Sequence, residues 1–130
     1  MMIEHIAIWT DKLEELREFY CRFFGGSSND MYVNEKKGFK SYFISFGGGA
    51  RLELMSSVSM AENTSQPVSR GLAHFAFSAA DASEVDSLTG ELIKNGVTLN
   101  SAPRVTGDGY YESSFLDPDG NLIEICAAAK

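Results

Sequence analysis

Residues 3–25 read IEHIAIWTDKLEELREFYCRFFG, and residues 72–96 read LAHFAFSAADASEVDSLTGELIKNG. Laid over one another, the two stretches decide the fold, because the chain is written twice. Each opens with small or apolar residues alternating around one histidine, the period-2 signature of a strand, over Ile3 to Trp9 and over Leu72 to Ser78. Each then reaches an aspartate followed three positions later by a glutamate, Asp11 with Glu14 and Asp81 with Glu84. That spacing predicts a capping box in which the aspartate accepts from a free N–H of the first helical turn. Helical stripes follow, on Leu13, Leu16, Phe19 or Tyr20 and Phe23 in one copy and on Val85, Leu88, Leu92 and Ile93 in the other. Both end at glycine, Gly25 and Gly96, the residue best suited to the left-handed turn after a helix.

Three strands are predicted after each helix. They fall at about 29–34, 40–46 and 50–56, and again at about 97–105, 110–116 and 121–126. The turns are Gly47-Gly48-Gly49, Thr106-Gly107-Asp108-Gly109 and Asp117-Pro118-Asp119-Gly120. The segment 57–70 is polar, holds Pro67 and lacks an apolar period, so it reads as a linker. The predicted architecture is α+β: two βαβββ modules, about 1–56 and 71–130, in a single domain 1–130. One helix cannot cover both faces of a module's sheet. Two modules side by side would give a curved mixed sheet with a concave face suited to a pocket.

Composition narrows the function. The chain has 130 residues with 18 acidic and 11 basic side chains, a net charge of −7, so a phosphate-neutralising nucleic-acid binder is not expected. At 44% hydrophobic and 22% charged it has the balance of a globular protein. Its apolar runs fall short of a membrane span, and its start lacks the basic n-region of a signal peptide. Cys21 and Cys126 make no disulfide framework. A soluble, cytoplasmic protein is expected.

Four residues stand out. His5 and His74 are the only histidines, and they occupy the same place in the two copies. A lone histidine on an apolar strand is ordinarily a hydrogen-bonded core residue. Two at matched positions, with none elsewhere, point to a shared role. The last strand of each copy sets a glutamate between aliphatics, Leu52-Glu53-Leu54 and Ile123-Glu124-Ile125. Period 2 turns each glutamate away from its neighbours. It shares its face with Arg51 and Met55 in one copy and with Leu122 and Cys126 in the other, which is the composition of a pocket wall. A carboxylate there needs a partner. One divalent ion per site, held by His5, Glu53, His74 and Glu124, meets that need, and imidazole with carboxylate suits Ni, Zn, Co, Mn or Fe. Four ligands leave open positions, the mark of a catalytic metal.

The chain resembles the vicinal oxygen chelate superfamily, which includes glyoxalase I. The resemblance rests on Ile3-Glu4-His5-Ile6, Leu16 to Phe24, Leu52-Glu53-Leu54, Leu72-Ala73-His74-Phe75-Ala76 and the run from Phe115 to Glu124. It covers nearly the whole chain, and four ligand positions in register make it specific. It implies the paired βαβββ fold, a metal on those four residues and a homodimer. The His/Glu/His/Glu set is similar to the glyoxalase I pattern, whereas extradiol dioxygenases and thiol transferases of the superfamily use one glutamate. The implied activity is that of a lactoylglutathione lyase-like isomerase. It would act on a hemithioacetal or α-hydroxy-carbonyl compound through an enediolate, with Glu124 as the base and Glu53 as its symmetric counterpart. The alternatives are another metalloenzyme of the superfamily, an epimerase or dioxygenase, or a non-enzymatic binding or resistance protein. Candidate substrate contacts are Trp9, Arg51, Phe43 and Tyr110. Arg51 is placed either to hold a substrate carboxylate or to pair with Glu53, and the aromatics either line a pocket or pack the core. Where glyoxalase I proteins often carry an arginine, four residues past the histidine, this chain has Trp9. A weak preference for glutathione follows.

Overall fold

The computed structural model describes residues 2–60 and 72–129, so the expected linker lies largely outside the described residues. The chain divides into two compact units, Met1–Thr64 and Ser65–Lys130. The first runs β1 (His5–Trp9), α1 (Leu13–Phe24), β2 (Ser27–Ser28), β3 (Tyr32–Asn34), β4 (Phe39–Ser45) and β5 (Arg51–Ser57). The second runs β6 (Phe75–Ser78), α2 (Ala82–Lys94), β7 (Leu99–Val105), β8 (Tyr110–Leu116) and β9 (Leu122–Ala128). The fold is α+β, with one mixed sheet and one helix in each unit.

The topology repeats. In the first unit the order is β1-β5-β4-β2, with β3 also on β4; in the second it is β6-β9-β8-β7. The first strand of each unit lies parallel to the glutamate strand of that unit, and the other ladders are antiparallel. Pro103 sits in β7, an edge strand with register shifts, where a missing N–H costs no central ladder bond. One face of each sheet is closed by its helix. Leu16, Tyr20, Ile44, Leu52 and Leu54 are buried in the first unit, and Val85, Leu92, Phe115, Ile123 and Ile125 in the second. Among the described residues, no helix is long and apolar enough to cross a membrane.

Three local expectations are corrected. The predicted strand at 29–34 is reduced to β3, Tyr32–Asn34, and the two-residue β2 lies just ahead of its predicted start. Helix α1 has no side-chain cap, because its N-cap position falls on Lys12, whose side chain has no acceptor, rather than on Asp11, and Glu14 accepts from the Tyr42 hydroxyl and from Arg17. Helix α2 keeps its cap: Asp81 accepts from the Glu84 N–H at 2.9 Å, while Glu84 reaches back to the Ala80 N–H at 2.5 Å. Along α2, Ile93 is exposed and Thr89 is buried in its place, its hydroxyl donating to the Val85 carbonyl at 2.6 Å.

Candidate metal-binding pairs

The parallel pairing of first and last strands sets the site residues. In the first unit His5 lies opposite Arg51 and Ala7 opposite Glu53. His5 and Glu53 therefore share the face turned away from α1, two residues apart along the sheet. In the second unit Phe75 lies opposite Ile123 and Ala76 opposite Glu124, so His74, just before β6, stands to Glu124 as His5 stands to Glu53. The contacts follow from this register. His5 Nε2 is 3.7 Å from Glu53 Oε1, and His74 Nε2 is 3.3 Å from Glu124 Oε2. The imidazoles are 42% and 40% exposed while the carboxylates are only 15% and 19% exposed. Each pair thus presents its nitrogen at the surface over a sheltered oxygen.

The donor chemistry fits a divalent ion. Nitrogen and oxygen ligands stand about 2.0–2.2 Å from such an ion, so two neighbouring ligands lie roughly 3–4 Å apart. Both pairs have that separation. Among the described residues, no group of three or more His, Cys, Asp or Glu side chains gathers as a metal cluster, so each unit offers two donors.

The surroundings of the two pairs differ. Around His5, Glu4 Oε1 accepts from His5 Nδ1 at 2.9 Å and from Arg51 Nη2 at 2.6 Å, while Glu4 Oε2 accepts from Arg51 Nε at 2.9 Å. The Arg51 hydrogen bonds, with a smaller part from His5, hold the Glu4 carboxyl at about 2, well below its ordinary range. Arg51 therefore engages Glu4 rather than Glu53, and its guanidinium carbon lies 4.2 Å from the Phe43 ring centroid. Phe43 in turn meets the His5 ring edge-on at 5.4 Å. In the second unit the residues matching Glu4 and Arg51 are Ala73 and Leu122. Beside Glu124 on its face stands Cys126, opposite Glu112. Burial first, then these two carboxylates, push the Cys126 thiol up, away from the reactive thiolate.

Trp9 shares the His5–Glu53 face and is 55% exposed. It meets Phe39 edge-on at 6.2 Å, and Phe39 meets Tyr32 at 6.0 Å, so three aromatic rings form a continuous shelf. Tyr110 lies opposite Ala128, on the Glu124 face, and is exposed. Two other tyrosines of these strands are engaged elsewhere: Tyr42 is buried on the helix side opposite Leu54, and Tyr111 donates to Asp86 at 2.7 Å. Sequence reasoning passed over Glu4. Its signal was present in the difference between Glu4 and Ala73 once the two copies are aligned.

The model of the glyoxalase/bleomycin resistance protein/dioxygenase superfamily matches residues 2–125. The chain belongs to this superfamily. Among solved structures it is similar to a glyoxylase/bleomycin resistance protein/dioxygenase domain from a Frankia species. That match has 16% identity and a TM-score of 0.84, covering 98% of this chain and 92% of that one. A glyoxalase family protein from Enterococcus faecalis matches at 25% identity and a TM-score of 0.78, covering 96% of each chain. A lactoylglutathione lyase from Agrobacterium tumefaciens matches at 25% identity and a TM-score of 0.67, covering 95% of this chain and 91% of that one. The comparison with curated proteins gives no match.

Proposed function

We propose that this superfamily member is a metal-dependent, glyoxalase I-like isomerase, a lyase by class. Its substrate would be a hemithioacetal or α-hydroxy-carbonyl small molecule. The observation that carries the reading is the repeated pair, a histidine nitrogen facing a sheltered glutamate oxygen at 3.7 Å in one unit and 3.3 Å in the other. The proposed ligand set joins both pairs, His5 and Glu53 with His74 and Glu124, around one Ni, Zn, Co, Mn or Fe ion. The set comes from one chain or from two copies in a homodimer. When bound, such an ion supplies Lewis acidity toward adjacent substrate oxygens and makes the neighbouring C–H more acidic.

The remaining work falls to the chain's own side chains. A glutamate oxygen takes the proton from the carbon beside the carbonyl and returns it to the adjacent carbon, turning a hemithioacetal into a 2-hydroxyacyl thioester. Glu124 is assigned that role and Glu53 is its counterpart. With side-chain exposures of 19% and 15%, both carboxylates are largely screened from water that would exchange the proton. The Trp9–Phe39–Tyr32 shelf suits an apolar substituent on the substrate, with Phe43 and Tyr110 as further contacts. Trp9 offers one neutral N–H donor and no charge to a thiol cofactor's carboxylate. Arg51, already bonded through both Nε and Nη2 to Glu4, is poorly placed to replace it.

Metal analysis of the purified protein tests the ligand set, with one ion per site expected and stoichiometric binding lost in His74→Ala. Retained tight binding in that variant would refute the assignment. Metal-loaded protein given methylglyoxal and a panel of thiols should turn over without strong preference for glutathione. An occupied site with no turnover on any thiol would move the reading to an epimerase or dioxygenase. A wild-type protein that takes up no ion would move it to a small-molecule binder. Light scattering is expected to give twice the chain mass.

A further inference from the structure

We propose that Glu4, clamped by Arg51, is a positioning residue that fixes His5 in its Nδ1–H form. The Nε2 lone pair is then free for an ion, and the first unit becomes the stronger of the two donor pairs. The inference rests on the metal-binding reading above and goes beyond it by separating the two halves.

A carboxylate bonded through both oxygens to a guanidinium is an acceptor only. Glu4 Oε1, 2.9 Å from His5 Nδ1, therefore receives a proton from that nitrogen. A neutral imidazole carries one ring proton, so Nε2 is left with its lone pair. That lone pair faces the Glu53 oxygen at 3.7 Å, acceptor toward acceptor, an arrangement that a cation relieves. Arg51 holds Glu4 through two hydrogen bonds and lies over Phe43, whose edge meets the His5 ring, so the imidazole is oriented from two sides. Carboxylate partners of this kind set the tautomer and orientation of metal-binding histidines.

Among the described residues, the second unit has no counterpart of this device. Ala73 and Leu122 replace Glu4 and Arg51, and Ser114 stands opposite Glu124 where Phe43 stands opposite Glu53. Among the described residues no carboxylate accepts from His74 Nδ1, so nothing there fixes which ring nitrogen carries the proton, although His74 Nε2 stands 3.3 Å from Glu124. In the first pair Glu4 makes that choice.

The test uses the full chain and two readouts. Imidazole nitrogen NMR shifts on metal-free protein should show His5 as the Nδ1–H form. In Glu4→Ala/Arg51→Leu, which gives the first unit the second unit's residues and conserves net charge, His5 should lose its Nδ1–H signature. Glu4→Gln, which keeps an acceptor oxygen, should restore much of it. Calorimetric titration with Zn²⁺ and Ni²⁺ should show affinity falling by about ten- to a hundredfold in the double variant. An unchanged His5 signature in the double variant, or an Nε2–H form of His5 in wild type, overturns the positioning role. An unchanged affinity overturns the claim that the first pair is the stronger. If wild type takes up neither ion, the metal reading fails, and the NMR comparison alone decides what Glu4 does to His5.

Discussion

Replacing Asp117 with alanine should destabilise the protein by about 3 kcal/mol, and replacing it with asparagine by about 1 kcal/mol. Asp117 follows β8 and is 4% exposed. Its Oδ1 accepts from the backbone N–H groups of Asp119 at 2.9 Å and Asn121 at 2.8 Å, and its Oδ2 accepts from the Asn121 side chain at 2.9 Å. The turn is also closed by backbone bonds from Asp117 N–H to the Asn121 carbonyl and from Gly120 N–H to the Asp117 carbonyl, both 2.9 Å. Gly120 has a φ of 84°, which this tight reversal requires and a side chain would resist. A hydrogen bond to a charged group contributes about 1.5–3 kcal/mol. Asp119 is exposed, so its freed N–H finds water, whereas the two Asn121 donors are half-buried. Two bonds at the low end of the range give the alanine figure. Asparagine keeps one oxygen for both backbone N–H groups, and the Asn121 amide turns over to face it, so only the charge assistance is lost. At an m-value of about 1.5 kcal/mol/M, urea midpoints should fall by about 2 M for Asp117→Ala and about 0.7 M for Asp117→Asn. Equal losses in the two variants, or an alanine variant within about 0.5 kcal/mol of wild type, would refute the view that these accepted bonds hold the turn.

Two further outcomes are expected. Thr89 and Ser113, both buried, share a hydroxyl contact of 2.8 Å. Thr89→Val alone should cost about 1–3 kcal/mol by orphaning the serine, and Thr89→Val/Ser113→Ala should recover much of it, measured as coupling in a double-mutant cycle. Tyr42 donates to Glu14, a bond that raises the tyrosine above its ordinary 10.0 and, as the largest cause, lowers the carboxyl below its ordinary 4.5. A raised tyrosine stabilises below pH 10.0 and loses that contribution as pH rises further, and a lowered carboxylate loses its contribution as pH falls below 4.5. Wild type should therefore exceed Tyr42→Phe by about 1 kcal/mol between those limits, discounted for Glu14's exposure. Chemical melts across pH should show the gap narrowing on both sides, and a gap independent of pH would sink the linkage.

Much of the fold was legible because it is stated in periods and turn residues. Strand β8 falls on the predicted 110–116, and β4, β5 and β7 start or end within two residues of their predicted bounds. The first strand and the glutamate strand of each copy match the reading, since alternation alone fixes which side chains share a face, although β6 starts at Phe75, one residue past His74. What escaped were contacts made between distant segments. The spacing of Glu14 from Asp11 predicts a capping box, but Tyr42, 28 residues from Glu14, takes the Glu14 carboxylate. Thr89 was passed over for Ile93 because hydropathy ranks isoleucine higher. Val85, Thr89 and Leu92 form the inward stripe, and the threonine hydroxyl is satisfied within the helix and by Ser113. For Arg51 the sequence offers a substrate carboxylate or Glu53, its near neighbour, and neither is the partner found. Its partner Glu4 lies 47 residues away and comes alongside only through the parallel ladder.

That ladder also sets how the donor pairs open and close. Among the described residues β1 hydrogen-bonds to β5 and β6 to β9, each with no second strand beside it, so each histidine is carried on or beside the outermost described strand of its sheet. Outer strands exchange their amide hydrogens through small, local openings well below the free energy of global unfolding. Every such opening separates a histidine from its glutamate, because the two sit on the two strands that part. An ion held across the pair would act as a clasp on that edge, and the protection of β1 and β6 amides would rise with occupancy. Closing a parallel pair whose members lie 46 residues apart, His5 to Arg51, is also among the slower steps in building such a unit. Each histidine–glutamate pair therefore rests on a contact between the two ends of its unit, from His5 to Glu53 in one and from His74 to Glu124 in the other.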